Sequence, residues 1–362
     1  MVIPFAIAKG IIFEPWMSIT KIKTEEFLEL ASQYPVLDVR SPGEYAHAHI
    51  PGAYNLPLFT DEERKVVGTA YKQESRETAI KIGLDYFGVK MRKMVEEAEG
   101  IVNSEQHTVL VHCWRGGMRS AGVAWLLDLY GFKVYTLAGG YKAYRNWVLA
   151  QFEKQYPVKI IGGYTGSGKT PVLKELQRKG ETIIDLEDLA CHKGSAFGGF
   201  DKEQPTQEMF DNLLATTLFN TSAKGTEIWL EDESQRIGSV NIPHAFWKTM
   251  RAAPVYFLDI PFEERLDHIT GEYGKYEKEK LVNAIMRIQK RLGGLDTKNA
   301  INFLLENNIK ECFRILLQYY DKFYTKGLQN REHLDALLHK IACDTFDIKE
   351  NSKKILALKT VA

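Results

Sequence analysis

The sequence predicts an α/β protein with a parallel sheet in each half and a mostly helical C-terminal part. Two strand–loop–helix units, one in each half, have a glycine-bearing loop between an apolar strand and a helix. Strands alternate with helical stretches along most of the chain, which is typical of parallel sheets. From about Tyr276 onward, apolar residues are spaced for one face of a helix. The predicted strands are 108–111, 133–137, 158–161, 182–185, 227–230 and 255–259.

Length and composition predict two ordinary globular domains. The chain has 362 residues, 44% of them hydrophobic and 26% charged, which is enough for two cores. Lysine plus arginine (47) equals aspartate plus glutamate (47), so net charge identifies no partner. A nucleic-acid partner would need a local basic patch instead.

The four cysteines have neither disulfide-framework density nor zinc-ligand spacing, so we expect no structural metal and a reducing compartment. Cys191, Cys312 and Cys343 are interpreted as structural. Residues 1–10 lack the basic start of a signal peptide, and no apolar run reaches the roughly 20 residues of a membrane span. A cytoplasmic protein without membrane association is expected.

A helical stretch at 141–154 ends at Gln155-Tyr156-Pro157, which predicts a domain boundary near 150–157. The predicted domains are therefore residues 15–150 and residues 157–362. The second domain includes the helical C-terminal part.

Cys113 directly follows the strand 108–111 and opens a loop that leads into a helix. Backbone N–H groups in such a loop, together with the helix N-terminus, favour a thiolate, which is the reactive form of cysteine. We therefore predict Cys113 as a nucleophile, with Arg119 binding an oxyanion. The predicted anion cradle comprises Trp114, Arg115, Gly116, Gly117, Met118 and Ser120.

The length of this loop is consistent with two functions. Five residues separate Cys113 from Arg119, which gives the His-Cys-x5-Arg-Ser pattern of protein tyrosine phosphatases. A loop of this length suits a tetrahedral, phosphate-like anion. The loop is therefore consistent with a cysteine phosphatase or with an enzyme that accepts a phosphorylated donor.

The second strand–loop–helix unit matches the Walker A pattern and predicts a P-loop NTPase-like domain. Its glycines allow backbone N–H groups to approach phosphates, and its lysine neutralises their charge. Its threonine could ligate Mg²⁺. The predicted diphosphate-binding residues are Gly163, Tyr164, Thr165, Gly166, Ser167, Gly168, Lys169 and Thr170.

Acidic residues follow two of the predicted strands. Glu231 and Glu233 end the apolar segment after Ile228, and Asp185 ends the strand 182–185, so all three are candidate acids of the P-loop site. We find no kinase-style catalytic base or lid arginine pattern. Binding of a diphosphate therefore fits as well as binding of ATP.

Two segments upstream of Cys113 carry a family pattern. Residues 37–45 read LDVRSPGEY and residues 49–57 read HIPGAYNLP. This pair resembles the motif of rhodanese domains, whose active cysteine carries sulfur or selenium. Ala48 stands where these domains usually have glycine, which should alter a turn and not the chemistry. The resemblance implies a rhodanese-like fold for the first domain.

Further segments extend the resemblance over about residues 35–325, with a rhodanese domain followed by a P-loop domain. In this order the chain resembles the tRNA 2-selenouridine synthases. Lys193 departs from an expected arginine, and Ala70 stands where cysteine is common. The segments are 60–73, 185–198, 204–207, 233–238, 290–294 and 319–324.

This resemblance implies a two-step modification of a wobble uridine in tRNA. The 2-thio group is geranylated with geranyl diphosphate, and selenium from selenophosphate then replaces the geranylthio group. Both donors are co-substrates, and no cofactor is tightly bound. Selenophosphate synthetase is the implied source of the selenium donor. Cys113 would act in selenium transfer and Lys169 in use of the diphosphate.

Basic residues provide candidate tRNA contacts. Near the end of a predicted helix lie Arg287, Lys290 and Arg291, and Arg64 and Lys72 are further candidates. Arg76 is another, and Tyr71 could stack on a base. Segments 197–200 and 246–247 are guesses for a geranyl pocket. A cysteine phosphatase and a small-molecule kinase with a rhodanese module remain alternatives.

Overall fold

The computed structural model of the chain describes residues 19–102, 107–195, 197–199, 203–222 and 225–359. The chain divides into two compact units, one ending at Trp147 and the next beginning at Val148. Residues 15–18 of the predicted first domain and 360–362 of the predicted second domain lie outside the described residues, as does Phe200.

The first unit contains a five-stranded sheet. Its strands are β1 Thr20–Ile22, β2 Val36–Asp38, β3 Tyr54–Asn55, β4 Thr108–His112 and β5 Lys133–Leu137. All its strand pairs are parallel, in the order β1-β5-β4-β2-β3, as the sequence predicts. Every residue of β4 is buried, and a strand pairs with it on each side. The loop after β4 therefore starts from the middle of the sheet.

The helices of the first unit cover this sheet and bury its apolar core. Two of them form an insertion between β3 and β4, and each begins at a hydroxyl cap. Thr60 Oγ1 accepts a hydrogen bond from the Glu63 N–H at 3.2 Å, and Ser75 Oγ accepts one from the Thr78 N–H at 3.0 Å. The helices are α1 Thr24–Ala31, α2 Pro42–His47, α3 Asp61–Gln73, α4 Arg76–Ile101 and α5 Met118–Tyr130, and α6 Gly140–Gln151 continues past Trp147 into the second unit.

The second unit contains another five-stranded parallel sheet. Its strands are β6 Val158–Gly163, β7 Thr182–Ile183, β8 Ile228–Glu231, β11 Val255–Asp259 and β12 Leu338–Ala342, and a hairpin adds β9 Arg236–Ile237 and β10 Val240–Asn241. The sheet order is β12-β11-β6-β8-β7. Strand β12 was not predicted, since it lies in a region with helical spacing. Pairing with β11, which is distant in the sequence, forms this edge strand.

The helices of the second unit include the predicted C-terminal series. Leu281, Ile285 and Leu292 are buried, and Ile288 packs against the same cluster, which confirms the predicted apolar face. No helix in the described part of the chain is long and apolar enough to cross a membrane. The helices are α7 Lys169–Arg178, α8 Leu186–Leu189, α9 Gln207–Ser222, α10 His244–Arg251, α11 Phe262–Tyr273, α12 Lys278–Leu292, α13 Gly294–Leu305, α14 Ile309–Gln329, α15 Leu334–Leu337 and α16 Ile348–Lys359.

Candidate active sites

Cys113 lies at the carboxyl end of β4, and its thiol faces the predicted loop. The side chain is 3% exposed, and Sγ lies 3.2 Å from the Ser120 hydroxyl. Burial raises the pKa of Cys113, but hydrogen bonds from Ser120 and from the backbone of Gly117 and Arg115 outweigh it. The pKa is therefore lowered from its ordinary value. The thiol is buried, yet it is surrounded by groups that stabilise its charged form.

A glycine after β5 and a glycine within the cysteine loop allow these two segments to pack closely. The Cys113 carbonyl accepts a hydrogen bond from the Tyr141 N–H at 2.8 Å, next to Gly140. Gly140 has φ +61°, and a Cβ there would lie 2.4 Å from both the Cys113 oxygen and the Gly116 nitrogen. Gly116 itself has φ +63°. Only glycine fits such a close approach of two loops, and no sequence motif links these two positions.

Arg119 contacts the carboxylate of Glu44, which was not among the predicted site residues. Its Nη1 lies 3.1 Å from Glu44 Oε2, and Arg64 Nε donates to the same oxygen at 2.8 Å. Burial raises the pKa of Glu44, but the charges of Arg119 and Arg64 outweigh it and lower the pKa. Glu44 thus orients the predicted oxyanion-binding arginine. Glu44 belongs to the 37–45 segment that carries the family motif, so its position in the sequence could have indicated a role. Its side chain also forms part of the capping box of α2.

A buried ion pair supports the strand end beside the cysteine. The Arg40 guanidinium donates to both oxygens of Asp38, and both side chains are at most 1% exposed. Arg40 also lies 3.7 Å from the centre of the Tyr141 ring. Burial raises the pKa of Asp38, but the charges of His112 and Arg40 lower it below its ordinary value. These residues fix the 37–45 segment against the residues that follow β5.

Replacing Ser120 by alanine should shift the titration of the Cys113 thiol to higher pH. The hydroxyl stabilises the thiolate, so its loss removes a cause of the lowered pKa. We would measure thiolate ultraviolet absorbance against pH and subtract the curve of Cys113→Ser. Burial raises the pKa of Cys312 to about 12 and also raises that of Cys343, which keeps these two cysteines protonated over most of the range.

Ser32→Ala is the matched control, because Ser32 is exposed and its hydroxyl donates to the Glu29 carbonyl, away from Cys113 in the sequence. An unchanged titration curve in Ser120→Ala would contradict the assigned role of this hydroxyl.

The second predicted site has the backbone of a phosphate-binding loop. The loop joins β6 to α7, and Gly166 and Gly168 have φ of +81° and +72°. A Cβ at Gly168 would lie 2.7 Å from the Phe346 ring, so glycine is required by space as well as by conformation. Lys169 begins α7 and donates to the Gly163 carbonyl at 3.3 Å. The lysine ammonium is thus held at the mouth of the loop.

A tyrosine from α14 braces this loop. Tyr324 Oη accepts a hydrogen bond from the Gly163 N–H at 3.1 Å and donates to Asp232 Oδ2 at 2.7 Å. Asp232 also pairs with Arg331, whose side chain is buried. Burial and the neighbouring Asp232 charge raise the pKa of Tyr324, which keeps it a neutral donor. The 319–324 segment therefore contributes to the P-loop from far along the chain.

Arg265 also supports the P-loop. It donates to both carboxylate oxygens of Asp321 at 2.9 and 2.7 Å and to the Thr165 carbonyl at 3.0 Å. Its guanidinium also lies 4.9 Å from the centre of the Tyr164 ring. Arg265 was not predicted from the sequence, because it lies on α11 outside every motif. Its contacts exist only when α11 and α14 pack beside the loop.

The candidate acids of this site separate into two groups. Glu231 and Glu233 lie beside Glu187, with one carboxylate oxygen of each within 4.8 Å of the others. Thr170 Oγ1 donates to Glu187 Oε2 at 3.1 Å, which joins this cluster to the P-loop. Asp185 instead caps α8 and lies 3.5 Å from the Lys174 ammonium. Glu187 was missed, although the 185–198 segment contains it.

The three glutamates cannot all carry an uncompensated charge. Burial, followed by the charge of Glu187, raises the pKa of Glu233 to about 8. Burial and the same neighbour also raise the pKa of Glu231 well above its ordinary value. Like charges in a buried cluster require a proton or a cation to offset their repulsion.

A cavity of about 1620 Å³ opens over the P-loop in the second unit. Lys169, Glu233, His192, Trp247 and Arg291 are among its lining residues. It is therefore lined by basic, acidic and aromatic side chains, and it can hold a ligand larger than a phosphate.

The remaining candidate residues are the predicted tRNA contacts and the predicted geranyl-pocket residues. Arg287 and Lys290 are exposed on α12, and Lys72 is exposed on α3, so all three remain predicted tRNA contacts. Arg64 is paired with Glu44 as described above. Of the predicted geranyl-pocket residues, Phe197 and Phe246 are buried, whereas Gly198 and Trp247 line the cavity.

Comparisons with known proteins identify both units. Residues 23–146 match the rhodanese-like domain family, and residues 156–340 match the family described as the tRNA 2-selenouridine synthase AAA domain. A tRNA 2-selenouridine synthase of Sulfurovum sp. is 36% identical over 80% of this chain and 87% of its own. One from Bdellovibrio bacteriovorus is 33% identical over 89% of this chain and 96% of its own.

Among solved structures, a rhodanese-related protein from Thermoplasma volcanium aligns with 35% of this chain and 91% of its own. It is 19% identical, and its TM-score of 0.22 is too low to carry a conclusion. The second family match alone spans half of the chain, and the two relatives cover most of it. The chain belongs to the tRNA 2-selenouridine synthase family.

Proposed function

We propose that this chain replaces the sulfur at C2 of a wobble 2-thiouridine in tRNA with selenium, in the cytoplasm. The observation that carries the proposal is the presence of two anion sites in one member of this family. One site has a thiol with a lowered pKa, and the other has a P-loop lysine. Each site suits one phosphorylated donor.

The P-loop site is assigned to geranyl diphosphate. In this step a bond forms between the thiouridine sulfur and C1 of the geranyl chain, and the C1–O bond breaks. Diphosphate leaves, and its charge is neutralised by Lys169 and the loop amides. The cavity around the loop has room for a prenyl chain and a base, and Trp247 offers an apolar wall. S-alkylation makes the sulfur a better leaving group at C2.

The cysteine site is assigned to selenophosphate, supplied by a selenophosphate synthetase. The Cys113 thiolate attacks phosphorus, the selenium–phosphorus bond breaks, and its electron pair stays on selenium. The selenide attacks C2 and displaces geranylthiol, while water hydrolyses the phosphocysteine to phosphate. No oxidant is needed. The loop amides and Arg119, oriented by Glu44, would hold the phosphoryl oxygens.

A cysteine phosphatase would use the same thiol and arginine, which is why the loop pattern alone left it open. It would leave the P-loop, its cavity and the Tyr324 brace without a role. A small-molecule kinase would leave Cys113 without a role. Neither alternative accounts for both sites.

Mass analysis of tRNA nucleosides tests the proposed function. Cells that lack the gene should contain neither 2-selenouridine nor its S-geranyl precursor, and they should retain 2-thiouridine. Returning the wild-type gene should restore both products. Unchanged 2-selenouridine in the deletion strain would refute the proposal.

A further inference from the structure

We propose that the cavity-lining side of α14, which carries Tyr319, Phe323 and Tyr324, binds the hydrocarbon chain of the geranyl donor. The diphosphate end of the same molecule would lie at Lys169. This inference rests on the function proposed above, and it assigns the part of the cavity that receives the chain.

The first observation is a continuous aromatic surface on one helix. Four aromatic side chains of α14 line the cavity, namely Tyr319, Tyr320, Phe323 and Tyr324. Residues 319 and 323 are four positions apart, as are 320 and 324, so these side chains share one side of the helix. The ring centres of Tyr319 and Phe323 are 4.7 Å apart, and those of Tyr319 and Tyr320 are 5.1 Å apart. Neighbouring rings therefore contact each other and form one surface.

The second observation is an apolar ring that is open to the cavity. Phe323 is 43% exposed, and in the described part of the chain it is the one large exposed apolar side chain that lines this cavity. A phenyl ring has no polar atom, so covering it with an apolar group is favourable. An exposed phenyl ring in a concave site indicates a ligand with an apolar part.

The aromatic surface begins beside the P-loop lysine. The Lys169 ammonium lies 6.0 Å from the centre of the Tyr324 ring. Tyr319 precedes Tyr324 by five residues, which is about 7.5 Å along the helix axis. A ligand with its anionic end at Lys169 can therefore extend an apolar tail along α14. Geranyl diphosphate has this division between a charged end and a hydrocarbon chain.

Helix α10 is joined to α14 next to this surface. Arg251 Nη2 donates to the Gly327 carbonyl at 2.8 Å, and the Arg251 guanidinium lies 5.5 Å from the centre of the Trp247 ring. Trp247 and Gly327 both line the cavity. These contacts hold Trp247 near α14, so a bound chain would have apolar neighbours from two helices.

A nucleobase of the tRNA is the competing occupant, because bases also stack on aromatic rings. A base that is recognised needs hydrogen-bond partners along its edges as well, and the Phe323 side chain offers none. A hydrocarbon chain needs no such partner. The chain is therefore the better match for the exposed ring of Phe323.

Calorimetric titration of the full chain with geranyl diphosphate, without tRNA, tests this pocket. Phe323→Ala should bind geranyl diphosphate about 10-fold more weakly than the wild type, because apolar contact with the chain is lost. Its affinity for inorganic diphosphate, which has no chain, should be unchanged. Leu305→Ala shortens an exposed side chain on α13 outside the cavity lining and should bind both ligands as the wild type does.

Tyr319→Ala should produce a gain of activity that a folding defect cannot imitate. Loss of this ring opens the end of the aromatic surface that is farther from Lys169. Transfer of the longer farnesyl chain to 2-thiouridine tRNA should therefore rise by about 10-fold relative to transfer of the geranyl chain. An unchanged ratio of the two transfer rates would contradict the proposed direction of the chain along α14.

Equal binding of geranyl diphosphate by the wild type and Phe323→Ala would overturn the pocket. A Phe323→Ala variant whose KM rises for tRNA alone would also overturn it, because the aromatic surface would then bind RNA. If the wild type transfers the geranyl group and Phe323→Ala does so with the same KM, the proposed function stands and the pocket fails. If the wild type transfers no geranyl group, the proposed function fails, and the pocket fails with it.

Discussion

Cys113→Ser should abolish formation of 2-selenouridine and leave S-geranyl-2-thiouridine in the tRNA. A serine hydroxyl is a far weaker nucleophile than a thiolate and gains little from the amides that lower the pKa of Cys113. We expect the rate of selenation to fall by about 1000-fold or more, as is typical when a nucleophile is removed. The measurement is a time course with geranylated tRNA and selenophosphate, followed by mass analysis of the nucleosides.

The same variant contains its own control. The P-loop and its cavity are formed by residues of the second unit, so geranylation of 2-thiouridine tRNA should proceed at the wild-type rate. Thermal unfolding should also stay close to that of the wild type, because serine is nearly isosteric with cysteine and can still bond to Ser120. Selenation at the normal rate by Cys113→Ser would remove Cys113 from the mechanism.

Lys169→Ala should lose geranylation of 2-thiouridine but keep selenation of tRNA that is already geranylated. Its ammonium is held at the P-loop by the Gly163 carbonyl, where it would neutralise the leaving diphosphate. Removing one such group from a developing charge reduces the rate by roughly 100-fold. In cells both modified nucleosides should disappear, because the second step uses the product of the first. In vitro, geranyl transfer from geranyl diphosphate is measured directly.

Two comparisons make this result specific. Lys353→Ala changes an exposed lysine on α16 and should geranylate tRNA normally. Lys169→Ala supplied with tRNA that is already geranylated should convert it to 2-selenouridine at the wild-type rate. Geranylation unaffected by Lys169→Ala would refute the assignment of the P-loop to the diphosphate.

Several fold features and both sites were predictable because their signals are local. A run of apolar residues such as 108–111, followed by a glycine-bearing loop, predicts a strand and its loop within about 20 residues. The Walker A segment likewise predicts the loop, the helix after it and the lysine. Strand 338–342 lacked such a signal, since its place at the sheet edge depends on pairing with β11.

The support of the two sites was not predictable in this way. Arg119 meets Glu44 across 75 residues, and the Gly163 N–H meets the Tyr324 hydroxyl across 161. Gly140 contacts the cysteine loop only because β4 and β5 are neighbours in the sheet. No periodicity in the sequence reports such contacts, because they arise when separate elements pack together.

The sequence by itself determined the parallel α/β class, the thiol at Cys113, the P-loop around Lys169 and the family of the chain. Tertiary structure alone decided that Glu44 orients Arg119, that Tyr324 braces the P-loop, and that Glu187 joins Glu231 and Glu233. The physical reason is the sequence separation of the residues involved. A motif is determined within one short segment, whereas charge pairing and burial depend on where distant segments meet.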